Sequence, residues 1–176
     1  MLSSFYQRFF GAFGRILLPF MNNSREGADC MINTILVTDD NVLDNAILRN
    51  YLYKERFNLV SALNGREALE MVESRNVDLI LLDLVMPVLN GFEFLKLFSK
   101  TALYREIPII VASGLDNTKD IEKILEYDIF DYIIKPLDHI NRLILVNKIQ
   151  KAAEYRANLL ELKKMKKLME AHSCSL

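Results

Sequence analysis

Cysteine and histidine are scarce, two of each in 176 residues. Cys30 and Cys174 stand near opposite ends and match no zinc-ligand or redox spacing, so the thiols point only to a reducing, cytoplasmic compartment. An excess of positive charge is also missing. Residues 31–147 carry 12 basic and 18 acidic side chains, residues 148–176 carry 7 and 3, and the first 30 carry 3 and 2. An acidic body with a basic tail is not the charge pattern of a nucleic-acid binder. Nor is there a long uncharged apolar run. Residues 2–21 are rich in Phe5, Phe9, Phe13, Ile16 and Phe20, but Arg8 and Arg15 lie inside the stretch and Gly11, Gly14 and Pro19 interrupt it. A membrane-crossing helix needs about 20 largely uncharged apolar residues, and a signal peptide confines its charge to the start. Two readings stay open for residues 1–32: an appendage lying on a membrane surface as a peripheral anchor, or a stretch ahead of a true start at Met31. After Lys148 nothing has the composition of a second core, so no second domain is expected there.

What is present is a regular alternation. The length suits one domain with appendages, and 51% apolar residues are enough for an ordinary core. Ile35-Leu36-Val37, Leu59-Val60, Leu79–Leu82, Ile107–Val111 and Tyr132–Ile134 are short apolar runs of the kind buried on both faces of a parallel sheet. Between them lie helical spacings: Leu43, Ile47, Leu48, Tyr51 and Leu52; Ala68, Leu69 and Val72 after the Asn64-Gly65 break; Phe92, Phe94, Leu95 and Phe98; Ile121, Ile124 and Leu125, capped by Asp116 or Asn117; and a last helix from near Asp138. Five strands alternating with five helices predict an α/β, doubly wound parallel sheet over residues 33–150, with a helical tail over 151–176.

In such folds ligands bind beyond the carboxyl ends of the strands. Those ends read Asp39-Asp40, Asp83, Ser113 and Lys135. Any one has an ordinary explanation, since an Asp pair or a Ser can simply cap a helix. Together they crowd three carboxylates into one crevice. Two such charges ~5 Å apart repel by roughly 3 kcal/mol at an effective dielectric near 20. Lys135 offsets part of this, and a divalent cation the rest. An all-oxygen donor set without His or Cys suits Mg²⁺ or Mn²⁺. A carboxylate beside such an ion, a hydroxyl and a lysine makes an acyl-phosphate site: Asp83 attacks phosphorus, Lys135 and the metal hold charge on the phosphoryl oxygens, and Ser113 donates a hydrogen bond to one of them.

The order and spacing of Asp39-Asp40, of Asp83 with Met86, Pro87 and Gly91, of Ser113-Gly114 and of Lys135-Pro136 resemble the receiver domain of bacterial two-component response regulators. The resemblance implies a flavodoxin-like strand order 2-1-3-4-5 and a phosphoryl group taken by Asp83 from a phosphohistidine on a sensor histidine kinase or histidine phosphotransfer protein. It implies metal ligation by Asp40, Asp83 and the backbone carbonyl of Val85, with Asp39 acting mainly through water. It also implies a switch pair, Ser113 and Tyr132, and a cis Lys135-Pro136 peptide. The protein would be a phosphoacceptor assisting its own phosphorylation and dephosphorylation, not an enzyme acting on others. Two departures accompany the match. Asp128-Ile129 stands where the family often has Gly-Ala; Asp128 suits a left-handed helix stop, and bulky Ile129 is expected to reshape a docking surface. The chain also stops soon after the last helix leaves the domain.

Three other readings compete. One is a scaffold or dimerisation module that works without phosphate, although receivers that do so usually lose one of the site residues kept here. Another is the front end of a longer regulator such as a cyclic-dinucleotide cyclase. Hydrolysis of the haloacid-dehalogenase type needs a second acid where Val85 stands. The last helix, nearly 50 Å long at ~1.5 Å per residue, leaves its apolar residues beyond Lys151 with no domain to cover. Ala152, Tyr155, Leu159, Leu162, Met165 and Met169 are expected to form a homodimer seam, against a solvated or anion-binding end carrying Lys163, Lys164, Lys166 and Lys167.

Overall fold

The computed structural model describes residues 34–53 and 57–173. The readings made on residues 1–32, and on Cys30 and Cys174, lie outside the described residues. Five strands, β1 (Thr34–Thr38), β2 (Asn58–Ala62), β3 (Leu79–Leu82), β4 (Ile109–Ser113) and β5 (Asp131–Ile134), form one parallel sheet in the order β2-β1-β3-β4-β5. Between and after them run α1 (Val42–Tyr53), α2 (Gly65–Ser74), α3 (Gly91–Phe98), a 3₁₀ turn (Ala102–Arg105), α4 (Thr118–Leu125) and α5 (His139–Ser173). The fourth strand begins two residues later than its apolar run, because Ile107-Pro108 leads in from the 3₁₀ turn, and it takes Ser113 as its last residue.

Every residue of β3 and β4 is buried, as unbroken apolar runs require when both faces of a sheet are covered. The two-residue period then divides the core. Leu36, Ile80, Leu82, Ile109 and Val111 face Ala68, Val72, Phe94, Phe98 and Ile124 of α2, α3 and α4. Ile35, Val37, Leu79, Leu81, Ile110 and Ala112 face Leu48 and Leu52 of α1 and Leu145, Ile149 and Ala152 of α5. Each fully buried Leu or Ile contributes about 1.5–3 kcal/mol, so the sheet is fixed from both sides.

Asparagine caps three helices. Asn64 accepts from the amides of Arg66 and Glu67, Asn90 forms a capping box with Glu93, and Asn117 accepts from Asp120. In α1 the buried row is Asn45, Leu48 and Leu52, while Leu43 is 75% exposed. That row is turned from the one the apolar spacing suggests, because α1 puts a polar residue against the site.

The α5 helix does not leave the domain at Lys151. Ala152 is fully buried, and Arg156 is 9% exposed with its Nη1 donating to the Glu106 carbonyl at 2.7 Å. Lys163 reaches the Glu106 carboxylate at 2.6 Å. Three turns expected to be bare are therefore tied to the segment between the 3₁₀ turn and β4. The Asp128 amide donates to the Tyr104 hydroxyl at 2.5 Å, and Asp128 is not left-handed, since Val88 alone has positive φ among the described non-glycine residues. Ile129 packs partly buried against the core on the α2, α3 and α4 side.

Lys163 hydrogen-bonding holds the Glu106 carboxyl below its ordinary value. A lowered folded-state pKa stabilises the protein above the ordinary glutamate value and the gain is lost as pH falls through the folded one. Glu106→Gln should therefore cost about 0.5–1 kcal/mol near neutral pH. The gap from wild type in urea unfolding should shrink below pH 4.5, the ordinary value.

Candidate functional site

Strand register builds the site. Thr38 pairs with Leu82, and Leu82 with Val111. The next residues of β1 and β3, Asp39 and Asp83, therefore leave the sheet level with one another, strands ~4.8 Å apart. Ser113 pairs with Ile134, so Lys135 leaves one strand further on and only a long side chain can come back to Asp83. It does. Lys135 Nζ lies 2.6 Å from Asp83 Oδ2 and 2.7 Å from Asp39 Oδ2.

The other oxygen of Asp83 accepts from the amides of Leu84, at 2.6 Å, and Val85, at 3.2 Å. Its own amide donates to the Thr38 carbonyl at 2.8 Å. Asp83 is 8% and Asp39 7% exposed, so both carboxylates have given up most of their water. Burial pushes the Asp39 carboxyl above its ordinary value, more strongly than the bonds from Lys135 and Asn41 pull it down. For Lys135 burial acts downward, but the bonds to Asp39 and Asp83 outweigh it and the ammonium is held above its ordinary value. Lys135 is thus a fixed cation at neutral pH.

Asp40 is exposed beside this pair, and one oxygen from each of Asp39, Asp40 and Asp83 lies within 4.8 Å of the others. Neither acid of the pair caps α1; Asn41 does, its Oδ1 accepting from the Leu43 amide at 3.0 Å. Three carboxylates with no nitrogen or sulfur donor fit a hard divalent cation with retained waters, Mg²⁺ or Mn²⁺. The Lys135-Pro136 peptide is cis.

Ser113 is fully buried at the end of β4, and its Oγ accepts from the Leu115 amide at 3.4 Å. Tyr132, half-buried, donates its hydroxyl to the Leu115 carbonyl. The Leu115 residue thereby joins the serine to the tyrosine across the β4–α4 loop. Burial first, then Asp116, Asp120 and Asp83, push the Tyr132 phenol above its ordinary value, so it stays a donor at neutral pH.

Asn45 was not among the sequence candidates. Buried in α1, its Nδ2 donates to the Asp39 carbonyl at 2.8 Å and fixes the turn that carries both acids. The available signal was a polar side chain in step with Leu48 and Leu52. Gly91 has a steric role as well. A Cβ there would lie 2.4 Å from the Asp83 carbonyl oxygen and 2.7 Å from Leu84 Cα, and its amide donates to the Leu84 carbonyl. The start of α3 is thus pressed onto the backbone of the Asp83 loop.

Val88 in that loop has φ 67°. A β-branched residue there is strained, by roughly 1–2 kcal/mol, and its side chain is 75% exposed, so little packing repays it. Val88→Asn, which keeps a side chain but tolerates the left-handed backbone, should raise unfolding free energy by about 1 kcal/mol, read as a higher urea midpoint with unchanged slope.

Residues 35–150 match the family model of the response regulator receiver domain. The chain is 36% identical over 115 residues to the probable transcriptional regulator ycf29 of Pyropia yezoensis, an alignment covering 65% of this chain and 51% of that protein. It is 31% identical over 104 residues to the two-component response regulator ORR3 of Oryza sativa subsp. indica, covering 58% of this chain and 79% of that one. Among solved structures, the receiver domain of the Francisella response regulator 1452 superposes with a TM-score of 0.62 at 27% identity, covering 70% of this chain and 98% of that domain. The chain spans about half the length of the first curated relatives it matches. The matched residues run through all five strands, and this chain belongs to the response regulator receiver domain family.

Proposed function

We propose that the protein takes a phosphoryl group onto Asp83 from a phosphohistidine on a sensor histidine kinase or histidine phosphotransfer protein, and signals through changed protein contacts. The observation that carries this reading is the state of Asp83. One oxygen is held by backbone amides, the other by Lys135, with two further acids alongside. A carboxylate so fixed is oriented as a nucleophile and cannot rotate away.

In the step itself a carboxylate oxygen of Asp83 bonds to phosphorus while the bond from phosphorus to the donor's imidazole nitrogen breaks. The ring nitrogen takes the electron pair and, from solvent, a proton. Lys135 neutralises charge on the phosphoryl oxygens, and Ser113 donates a hydrogen bond to one of them. Asp40, Asp83 and the Val85 carbonyl would hold Mg²⁺ or Mn²⁺, with Asp39 acting through bound water. That ion, when bound, supplies charge neutralisation at the phosphoryl oxygens.

Turning of Ser113 toward the phosphoryl group would release the Leu115 amide. Tyr132, bonded to the same residue, would then follow as the second half of the switch. No separate substrate is acted on; the protein assists its own phosphorylation and dephosphorylation. On this reading the protein is a cytoplasmic phosphoprotein; no helix among the described residues is long and apolar enough to cross a membrane. Contact with a second copy through α5 belongs to the same reading.

Incubation with a divalent cation and acetyl phosphate should add one phosphoryl mass to the wild type, with the modification on Asp83. Chelation of the metal should abolish it, and Asp83→Asn should remain unlabelled. Labelling of that variant at the wild-type rate would contradict the assignment.

By the resemblance to receiver domains, Val85 and Leu115 would flank the path of an in-line water, and Val85 is 59% exposed. Neither side chain can orient or polarise that water. The phosphorylated form should therefore decay over many minutes, and Val85→Asn should shorten its lifetime several-fold. Complete decay of the wild type within seconds would contradict this.

A further inference from the structure

Two rows of side chains run along α5. Leu145, Ile149, Ala152, Arg156 and Lys163 face the protein's own domain, the first three fully buried and the last two held by Glu106. At ~100° per residue, Leu162, Met165 and Met169 continue a second row, turned by about 120° from the first, at whose start Tyr155 packs its ring 5.6 Å from Phe130 of its own domain. Leu162, Met165 and Met169 are 64%, 54% and 72% exposed. Because Lys163 is tied to Glu106 on the first row, the second row is held outward rather than left to roll onto the domain.

The spacing of the second row is that of a two-helix seam, with Leu162 and Met169 seven residues apart and Met165 between them. In that frame Leu162 and Met169 are a positions and Met165 is d. Glu161 then falls at g and Lys166 at e. In a parallel pair a g residue meets the e residue five positions later on the other helix, and Glu161 and Lys166 are five apart. An antiparallel pair sets g beside g and e beside e, so Glu161 would never meet Lys166. Lys163, Lys164 and Lys167 fall at b, c and f, away from the seam: Lys163 keeps its ion pair with Glu106, and Lys164 and Lys167 stay exposed. Glu154 and Glu161 flank the apolar row on its other side, which disfavours an anionic lipid surface as its occupant.

We infer that the end of α5 pairs in parallel with the same segment of a second copy, its register set by Glu161 of each chain against Lys166 of the other. This rests on the reading that α5 is a contact surface and adds its orientation and alignment. It is shorter than the seam the sequence suggested, since Ala152 is buried against its own domain, Tyr155 packs on Phe130 and Leu159 falls at an e position beside the seam. Asn158 takes the d position ahead of Leu162, a polar residue in the seam that weakens the pair.

The test is sedimentation equilibrium of the full chain across micromolar concentrations, with acetyl phosphate labelling measured on the same samples. The wild type should form a dimer. Glu161→Lys and Lys166→Glu should each weaken it at least tenfold, and the double charge swap should restore it. Leu162→Glu should give a monomer that still takes phosphate on Asp83. A monomeric wild type would overturn the inference, as would a dimer indifferent to the charge changes. So would a solution monomer that cosediments with phosphatidylglycerol vesicles and loses that binding in Leu162→Glu. Failure of Asp83 labelling in the wild type would instead count against the phosphoacceptor reading, leaving the dimer result to stand alone.

Discussion

Asp39 and Asp83 leave adjacent strands at the same level, and their carboxylates are nearly dry. Two buried negative charges so close are tolerable only with a cation between them. Lys135 supplies it, with bonds of 2.6 and 2.7 Å to one oxygen of each. The rest of the architecture serves that contact. The order β2-β1-β3-β4-β5 puts Asp83 on the central strand, with Asp39 on one side and β4 then β5 on the other. A shorter side chain at the end of β5 would not span the intervening strand. The wholly buried β3 and β4 stop the sheet from shifting register, which would separate the three groups.

The same charge arrangement gives the site its chemistry. Desolvated carboxylates with one fixed cation are under-neutralised, and the exposed Asp40 adds a third charge. Such a cluster favours a divalent ion on its open side and, with that charge present, an incoming phosphoryl group. Stability and function therefore pull against each other here. The backbone shares the tension, with Val88 left-handed just past Pro87 and the Asp83 loop pressed against Gly91.

Much of this was legible in the residues. Apolar runs at β1, β3, β4 and β5 and the acids and lysine that end them carried both the sheet and the crevice, because strands covered on both faces are apolar in their interiors and polar mainly at their ends. The rest depended on three-dimensional neighbours. Leu43 looked like a core residue of α1 and is exposed, because the helix turns Asn45 inward to hold the Asp39 carbonyl. Asp39 and Asp40 could have capped α1, and only the hydrogen bonds identify Asn41 in that role. The docking of α5 past Lys151 was hidden as well. It depends on Arg156 and Lys163 meeting Glu106, a pairing across 50 and 57 positions that helical periodicity cannot reveal.

The dependence on Lys135 is most directly tested by the unfolding free energy of Lys135→Met against wild type as a function of pH, without divalent cations. Removing the ammonium takes away the bond that pulls the Asp39 carboxyl down and leaves the burial that pushes it up. An acid with a raised folded-state pKa gains stability as pH falls through that value toward its unfolded one. The variant should be weaker than wild type by about 3 kcal/mol at pH 7.5, in line with breaking a buried ion pair, and the gap should narrow steadily as pH falls to 4.5. A gap that stays constant over that range would contradict the account, because the acids would then not be what Lys135 holds in place.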